Sequence, residues 1–135
     1  MIVYICNYCN SQRGVDMEVK LFDSELKVME VLWREGELTA GSLAKILKEQ
    51  IGWNRNTTYT VIKKLVGKGA IERCEPNFSC RAIVTKEQVR QREAAELMDK
   101  LFDGSAELFL SAYVGGRKLS ADEIKGLRQL VEKLE

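Results

Sequence analysis

The chain has 135 residues, 45% hydrophobic and 30% charged, the proportions of one soluble globular domain or of a small domain with an appendage. It contains no histidine, which excludes Ser-His and Cys-His nucleophile pairs and any histidine-bearing zinc site. A net charge of +1 excludes a generally basic nucleic-acid coat, so the distribution of charge matters more than its sum.

Residues 1–16 do not resemble the rest of the chain. They hold two of the four cysteines, Cys6 and Cys9, and show no helical period. Gln12-Arg13-Gly14 can be encoded by a purine-rich run of the ribosome-binding kind, just upstream of Met17. Two readings therefore stand: a native extension, or an untranslated leader read as protein with the start at Met17. No run approaches the roughly 20 apolar residues needed to cross a bilayer. The stretch before Asn7 is too short for a secretory h-region and lacks a basic start. The expected localisation is cytoplasmic, without membrane insertion and with the cysteines mostly reduced.

Spacing predicts a first helix over residues 24–34, with Ser24 as its N-cap and Phe22, Leu26, Met29 and Trp33 along its buried face. Glu35-Gly36-Glu37 ends it. Thr39 caps a second helix, in which Leu43, Ile46 and Leu47 turn inward while Lys45, Lys48 and Glu49 stay in water. Gly52 stops that helix, Asn54 caps a third, and Gly67-Lys68-Gly69 ends it. Residues 71–75 and 79–83 read as short strands around the turn Pro76-Asn77-Phe78, which makes a wing. A long helix over 86–102 carries an apolar seam of Ala94, Leu97, Met98, Leu101 and Phe102. A short helix then runs through Leu108, Phe109 and Ala112 to Val114, and Gly115-Gly116 breaks it. Ser120-Ala121-Asp122-Glu123 is a capping box that opens a final helix with Ile124, Leu127, Val131 and Leu134 on one face. The expected fold class is mainly α (α+β): a winged helix-turn-helix over 17–85 and a helical dimerisation region over 86–135.

The third helix carries most of the information. Thr58, Val61, Ile62 and Leu65 follow i, i+3, i+4, i+7 and face a core. The other face holds Arg55, Asn56, Thr57, Tyr59, Thr60, Lys63 and Lys64, and no acid occurs from Arg55 to Lys68. Threonine and asparagine are poor helix formers, so stability alone does not account for their crowding here. Short hydrogen-bonding and cationic groups on one face are what base edges and phosphates require. Asn56, Thr57 and Thr60 are the expected base readers, with Tyr59 at the groove wall. The helix N-terminus around Asn54 and Arg55 favours a phosphate. Lys63, Lys64 and the wing residues Arg73 and Arg81 are the expected backbone contacts. From Arg55 to Arg81 there are six cations against two acids, Glu72 and Glu75, so the middle of the chain is locally basic.

The C-terminal helices are expected to dimerise. The segment is too short to build an independent core, and its apolar residues (Leu97, Met98, Leu101, Phe102, Leu108, Phe109, Tyr113, Ile124, Leu127 and Val131) would be covered by a second copy. Two copies on a palindromic operator multiply the discrimination of one helix.

The cysteines support weaker alternatives. Cys6 and Cys9 have C-x2-C spacing, and Cys74 and Cys80 flank the wing turn symmetrically about Asn77, so they are expected opposite one another. A four-thiolate metal site or a Cys74–Cys80 redox clip would result from that, but a single C-x2-C is a weak signal and no metal or other cofactor is expected. Two rival functions stand beside DNA binding: a winged-helix protein-interaction module that does not bind DNA, and a cysteine-based metal or redox sensor.

Several motifs, in order, carry a family resemblance: Leu26-x-Val28-Met29-x-Val31-Leu32-Trp33, Trp53 with Thr57-Thr58, Leu65-x-x-Lys68-Gly69, a wing, and Leu119-Ser120-x-x-Glu123-Ile124-x-x-Leu127. The chain resembles the penicillinase-repressor (BlaI/MecI/CopY) family of bacterial transcriptional repressors from about Leu21 to Leu134. The resemblance implies a homodimeric, non-enzymatic repressor on a palindromic operator. In the beta-lactam-responsive members a membrane sensor with a cytoplasmic zinc protease domain triggers cleavage in the dimerisation region. The resemblance places that bond near Ala112-Tyr113, where those members carry a polar residue in place of Ala112. Copper-responsive members have a cysteine-rich tail; this chain ends at Glu135 without one, so copper sensing by that route is not expected.

Overall fold

The structure, a computed structural model, describes residues 19–134. The chain divides into two compact units, with the boundary between Arg92 and Glu93.

In the first unit the element order is α1 (Asp23–Glu35), β1 (Leu38–Thr39), α2 (Ala40–Ile51), α3 (Arg55–Lys68), β2 (Ile71–Cys74) and β3 (Ser79–Ala82). It also contains the start of α4 (Lys86–Leu101). The buried stripe of α1 is Glu25, Val28, Met29, Val31 and Leu32. Against expectation, Phe22 lies outside this stripe at 59% exposure, and Leu26 and Trp33 are half-buried. The reason is the cap. Phe22, not Ser24, is the N-cap residue, and its N–H donates to Glu25 Oε1 at 2.9 Å. An extended cap residue leaves the helical period, so the i, i+4 spacing no longer fixes where its side chain points.

The other caps match their sequence signals. Thr39 accepts from Ser42 N at 3.2 Å and Asn54 from Thr57 N at 2.8 Å. Gly52 and Gly69 close α2 and α3 at φ 74° and 82°, backbone that glycine adopts without a Cβ clash. These two glycines set the turns on either side of α3.

The sheet has strand order β1-β3-β2, all antiparallel. Strand β1 has no counterpart in the sequence pattern, because two residues are too few for a period-2 signal. It forms because Leu38 and Thr39 pair with Cys80 and Ser79, which ties the entry of α2 to the wing. Across the wing, Cys74 pairs with Ser79 and Arg73 with Cys80. The expectation that Cys74 and Cys80 face one another is therefore corrected. The turn occupies residues 75–78 and is centred between Pro76 and Asn77, half a residue from the assumed midpoint. Side chains alternate faces along a strand, so this small offset puts the two cysteines on opposite faces.

The core joins these elements through Met29, Leu32, Leu43, Leu47, Ile62, Leu65, Ile71 and Cys80, all buried. Trp33 Nε1 donates to Val84 O at 2.9 Å, and Val89 of α4 joins the same core. Lys86 Nζ meets Glu30 Oε2 at 2.9 Å. Truncating any of the large buried aliphatics to Ala costs about 2–5 kcal/mol in such a site.

The second unit holds the end of α4, then α5 (Ala106–Val114) and α6 (Ala121–Lys133). Ser120 and Glu123 form the predicted capping box, with both bonds at 3.1 Å. No residue of α5 or α6 is buried. Leu101, Leu108, Leu130, Val131 and Leu134 are each more than half exposed. Two apolar grooves result. One, of about 430 Å³, is lined mainly by Leu119, Ile124, Leu127 and Val131; the other, of about 410 Å³, by Phe109, Leu110, Tyr113, Leu119 and Leu127.

Candidate nucleic-acid interface

Helix α3 buries Thr58, Val61, Ile62 and Leu65, the four residues that the sequence period selects. Packing on this face holds a helix whose intrinsic propensity is poor, and the opposite face is left for contacts. Asn54, Arg55, Asn56, Thr57, Thr60, Lys63 and Lys64 are all exposed there, and Tyr59 is half-buried.

Hydrogen bonding refines what each can offer. Asn54 Oδ1 is occupied by the cap, and its amide nitrogen remains a donor. Thr60 Oγ1 donates to Asn56 O at 2.8 Å within the helix, so toward a ligand Thr60 presents acceptor lone pairs and a methyl group. Asn56 and Thr57 lie in the first turn with exposed side chains. An amide can pair in bidentate fashion with adenine and a threonine methyl can meet thymine.

The cations divide into two groups. Lys68 Nζ bonds buried Glu25 Oε1 at 2.6 Å. Arg81 bonds Glu72, whose side chain is fully buried on the wing. Arg73 Nε bonds Glu75 Oε1 at 2.6 Å and its guanidinium stacks on Phe78. These three anchor the fold and the wing. The basic character of the face then rests on Arg55, Lys63 and Lys64. Lys45 and Lys48 of α2, which the sequence pattern marks only as solvated, join them. They line a cleft of about 290 Å³ with Gly41, Ala44, Asn54 and Arg55 at the N-terminus of α3. Their spacing of three, opposite Leu43 and Leu47, is the one available signal. A cleft with three cations beside a helix N-terminus suits a phosphate oxygen.

Tyr59 is less free than a groove-wall residue. Its ring meets Phe78 edge-on at 5.8 Å, and its hydroxyl accepts from Arg55 Nη2 at 3.0 Å.

Cys80 is a free, fully buried thiol, and burial pushes its pKa from 9.0 up to about 11. Arg73 pulls in the opposite direction with smaller effect. A thiol in this state is neither a ready nucleophile nor a ready metal ligand at neutral pH. Among the described residues no group of three or more Cys, Asp or Glu side chains is arranged to hold a metal ion. Cys6 and Cys9, and the question of residues 1–16, lie outside the described residues. No helix among the described residues is long and apolar enough to cross a membrane.

The family model described as penicillinase repressor matches residues 21–133. The methicillin resistance regulatory protein MecI of Staphylococcus aureus (strain N315) is 25% identical over 116 residues, covering 84% of this chain and 94% of that protein. The penicillinase repressor of Bacillus licheniformis is 23% identical over 116 residues, covering 84% and 91%. Among solved structures, the DNA-binding domain of the repressor BlaI superposes with a TM-score of 0.48 at 24% identity, covering 51% of this chain and 87% of that one. The chain belongs to the penicillinase repressor family, whose members are DNA-binding regulators and not enzymes.

Proposed function

We propose that the protein is a homodimeric repressor that binds a palindromic operator in the cytoplasm, with α3 of each copy in a major groove. The observation that carries this reading is the exposed face of α3: seven polar or cationic residues from Asn54 to Lys64, without an acid. Asn56, Thr57 and Thr60 read bases. Arg55, Lys63 and Lys64, with Lys45 and Lys48 beside them, hold phosphates.

The second unit supports pairing. It has apolar grooves, many exposed leucines and no buried residue in α5 or α6, which is the surface of half an interface. Pairing also explains how relief would work. The Ala112-Tyr113 bond lies in α5 with both residues exposed, and cutting it would divide the helices that form the interface. A membrane sensor protease is the kind of partner that would do so.

Selection of duplexes from a random pool by the purified chain, with footprinting of the winners, tests the reading. The expected footprint is two half-sites with centres about one helical turn, or a multiple, apart. A single unpaired half-site contradicts the dimer, and failure to enrich any sequence contradicts specific recognition.

A further inference from the structure

Four side chains of the first unit form a continuous stack that joins the wing to the start of α3. The guanidinium of Arg73 lies 3.7 Å over the ring of Phe78. Phe78 meets Tyr59 at 5.8 Å with the rings at 81°. Arg55 lies 5.1 Å over the Tyr59 ring and donates to its hydroxyl at 3.0 Å. Each contact is of a favourable type, cation over ring face or ring edge to ring face.

Phe78 is the centre of this stack, and its backbone is held unusually firmly. It sits in the left-handed region at φ 50°, which a bulky residue rarely adopts. Its carbonyl accepts from Ala40 N at 2.9 Å, and the neighbouring Ser79 pairs with Thr39. The same first turn of α2 backs the other ring. A Cβ on Gly41 would stand 3.9 Å from the Tyr59 hydroxyl, an ordinary contact distance. Tyr59 is thus enclosed by the wing tip on one side and α2 on another. Arg55, though exposed, is held on it.

We propose that Phe78 is a positioning residue for operator binding. It fixes Tyr59, and through Tyr59 it orients the Arg55 guanidinium before DNA arrives. An arginine ordered in advance loses less rotamer freedom on binding and arrives with its donors aimed. Phe78 itself needs no contact with the duplex. This role rests on the DNA-binding reading of α3 given above.

A double-mutant cycle separates positioning from a merely structural effect. The probes are a duplex selected from a random pool by the wild-type chain and a mixed-sequence duplex. Arg55→Ala and Phe78→Leu are each expected to weaken binding to the selected duplex about tenfold. The two changes together are also expected to cost about tenfold, because Arg55 contributes little once Phe78 has gone. Phe78→Tyr restores wild-type binding. Tyr59→Phe removes only the hydroxyl that Arg55 bonds. It is expected to weaken binding severalfold in the wild-type background and not at all in Arg55→Ala. If Phe78→Leu fails to fold, Phe78→Met, which keeps an apolar side chain but not the ring, takes its place in the cycle with Arg55→Ala. Losses that simply multiply in the double variants overturn the positioning role while leaving DNA binding intact. Absence of wild-type binding to either duplex at low salt overturns the DNA-binding reading, and the positioning role with it.

Discussion

Lys68 Nζ stands 2.6 Å from Glu25 Oε1, and the Glu25 side chain is only 2% exposed. The ammonium also donates to Lys20 O at 2.9 Å and lies 4.5 Å over the Phe22 ring. One ion pair therefore fastens the end of α3 to the start of α1. The lysine of the motif Lys68-Gly69 thus has a structural role in joining these two helices.

Removing that lysine strands a buried carboxylate, whose second oxygen, Oε2, is already enclosed without a hydrogen-bond partner. Breaking a fully buried pair costs roughly 3–5 kcal/mol. Lys68 is 30% exposed, which lowers the expected loss for Lys68→Met to about 2–3 kcal/mol. Adding Glu25→Gln to Lys68→Met recovers part of it, because a neutral amide keeps an acceptor for Phe22 N–H without the charge. Urea unfolding of the single and double variants checks both values.

Cys80 makes stability depend on alkaline pH. Its folded pKa is raised from 9.0 to about 11, so below pH 9 both folded and unfolded chains carry the thiol and nothing is lost. Between pH 9 and 11 the unfolded chain ionises first, and stability falls as pH rises toward the folded value. The loss approaches about 2–3 kcal/mol above that window. The quantity to measure is the difference in stability between wild type and Cys80→Ala, which isolates this thiol. That difference should shrink steadily across the window. A difference that is flat with pH contradicts the burial argument.

On the recognition face, Thr57→Ala combined with Thr60→Ala should reduce preference for the selected duplex by about 1–3 kcal/mol and leave mixed-sequence binding nearly unchanged. Lys64→Ala should weaken both duplexes alike and lower the salt slope by about one. Fluorescence anisotropy on the two duplexes distinguishes these patterns. Full operator preference in the threonine double variant would show that the readers lie elsewhere.

Much of the fold, including which side of α3 is buried and which is exposed, is legible in the sequence because it depends on local rules. Thr39, Asn54 and Ser120 announce their helices by cap chemistry, and Thr58, Val61, Ile62 and Leu65 announce the buried side of α3 by period. What is not legible depends on tertiary distance. Lys68 and Arg81 look like free surface cations in the sequence, and nothing local reveals that Glu25 and Glu72 are buried beside them. Phe78 looks like a turn residue, and only the folded wing brings it to Tyr59. Cys74 and Cys80 are misplaced by symmetry about Asn77 because a hairpin register depends on where the turn is centred. Phe22 is misplaced when a helical period is extended through its own cap.

Leu127 lines both apolar grooves of the second unit. Leu127→Glu places a charge where the proposed partner would pack, and it disturbs little else, because no residue of α5 or α6 is buried. Sedimentation should show monomer in place of dimer. If the dimer supplies about 4 kcal/mol to operator binding, affinity falls roughly a thousandfold. A variant that sediments like wild type places the interface on another surface.

In the proposed complex two copies engage one duplex through α3. Sedimentation of a labelled, selected operator with the wild-type chain, repeated across a series of salt concentrations, measures this directly. The prediction is two chains per duplex, with the logarithm of affinity falling linearly as the logarithm of salt rises. A single chain per duplex, or no binding to any duplex at low ionic strength, would contradict it.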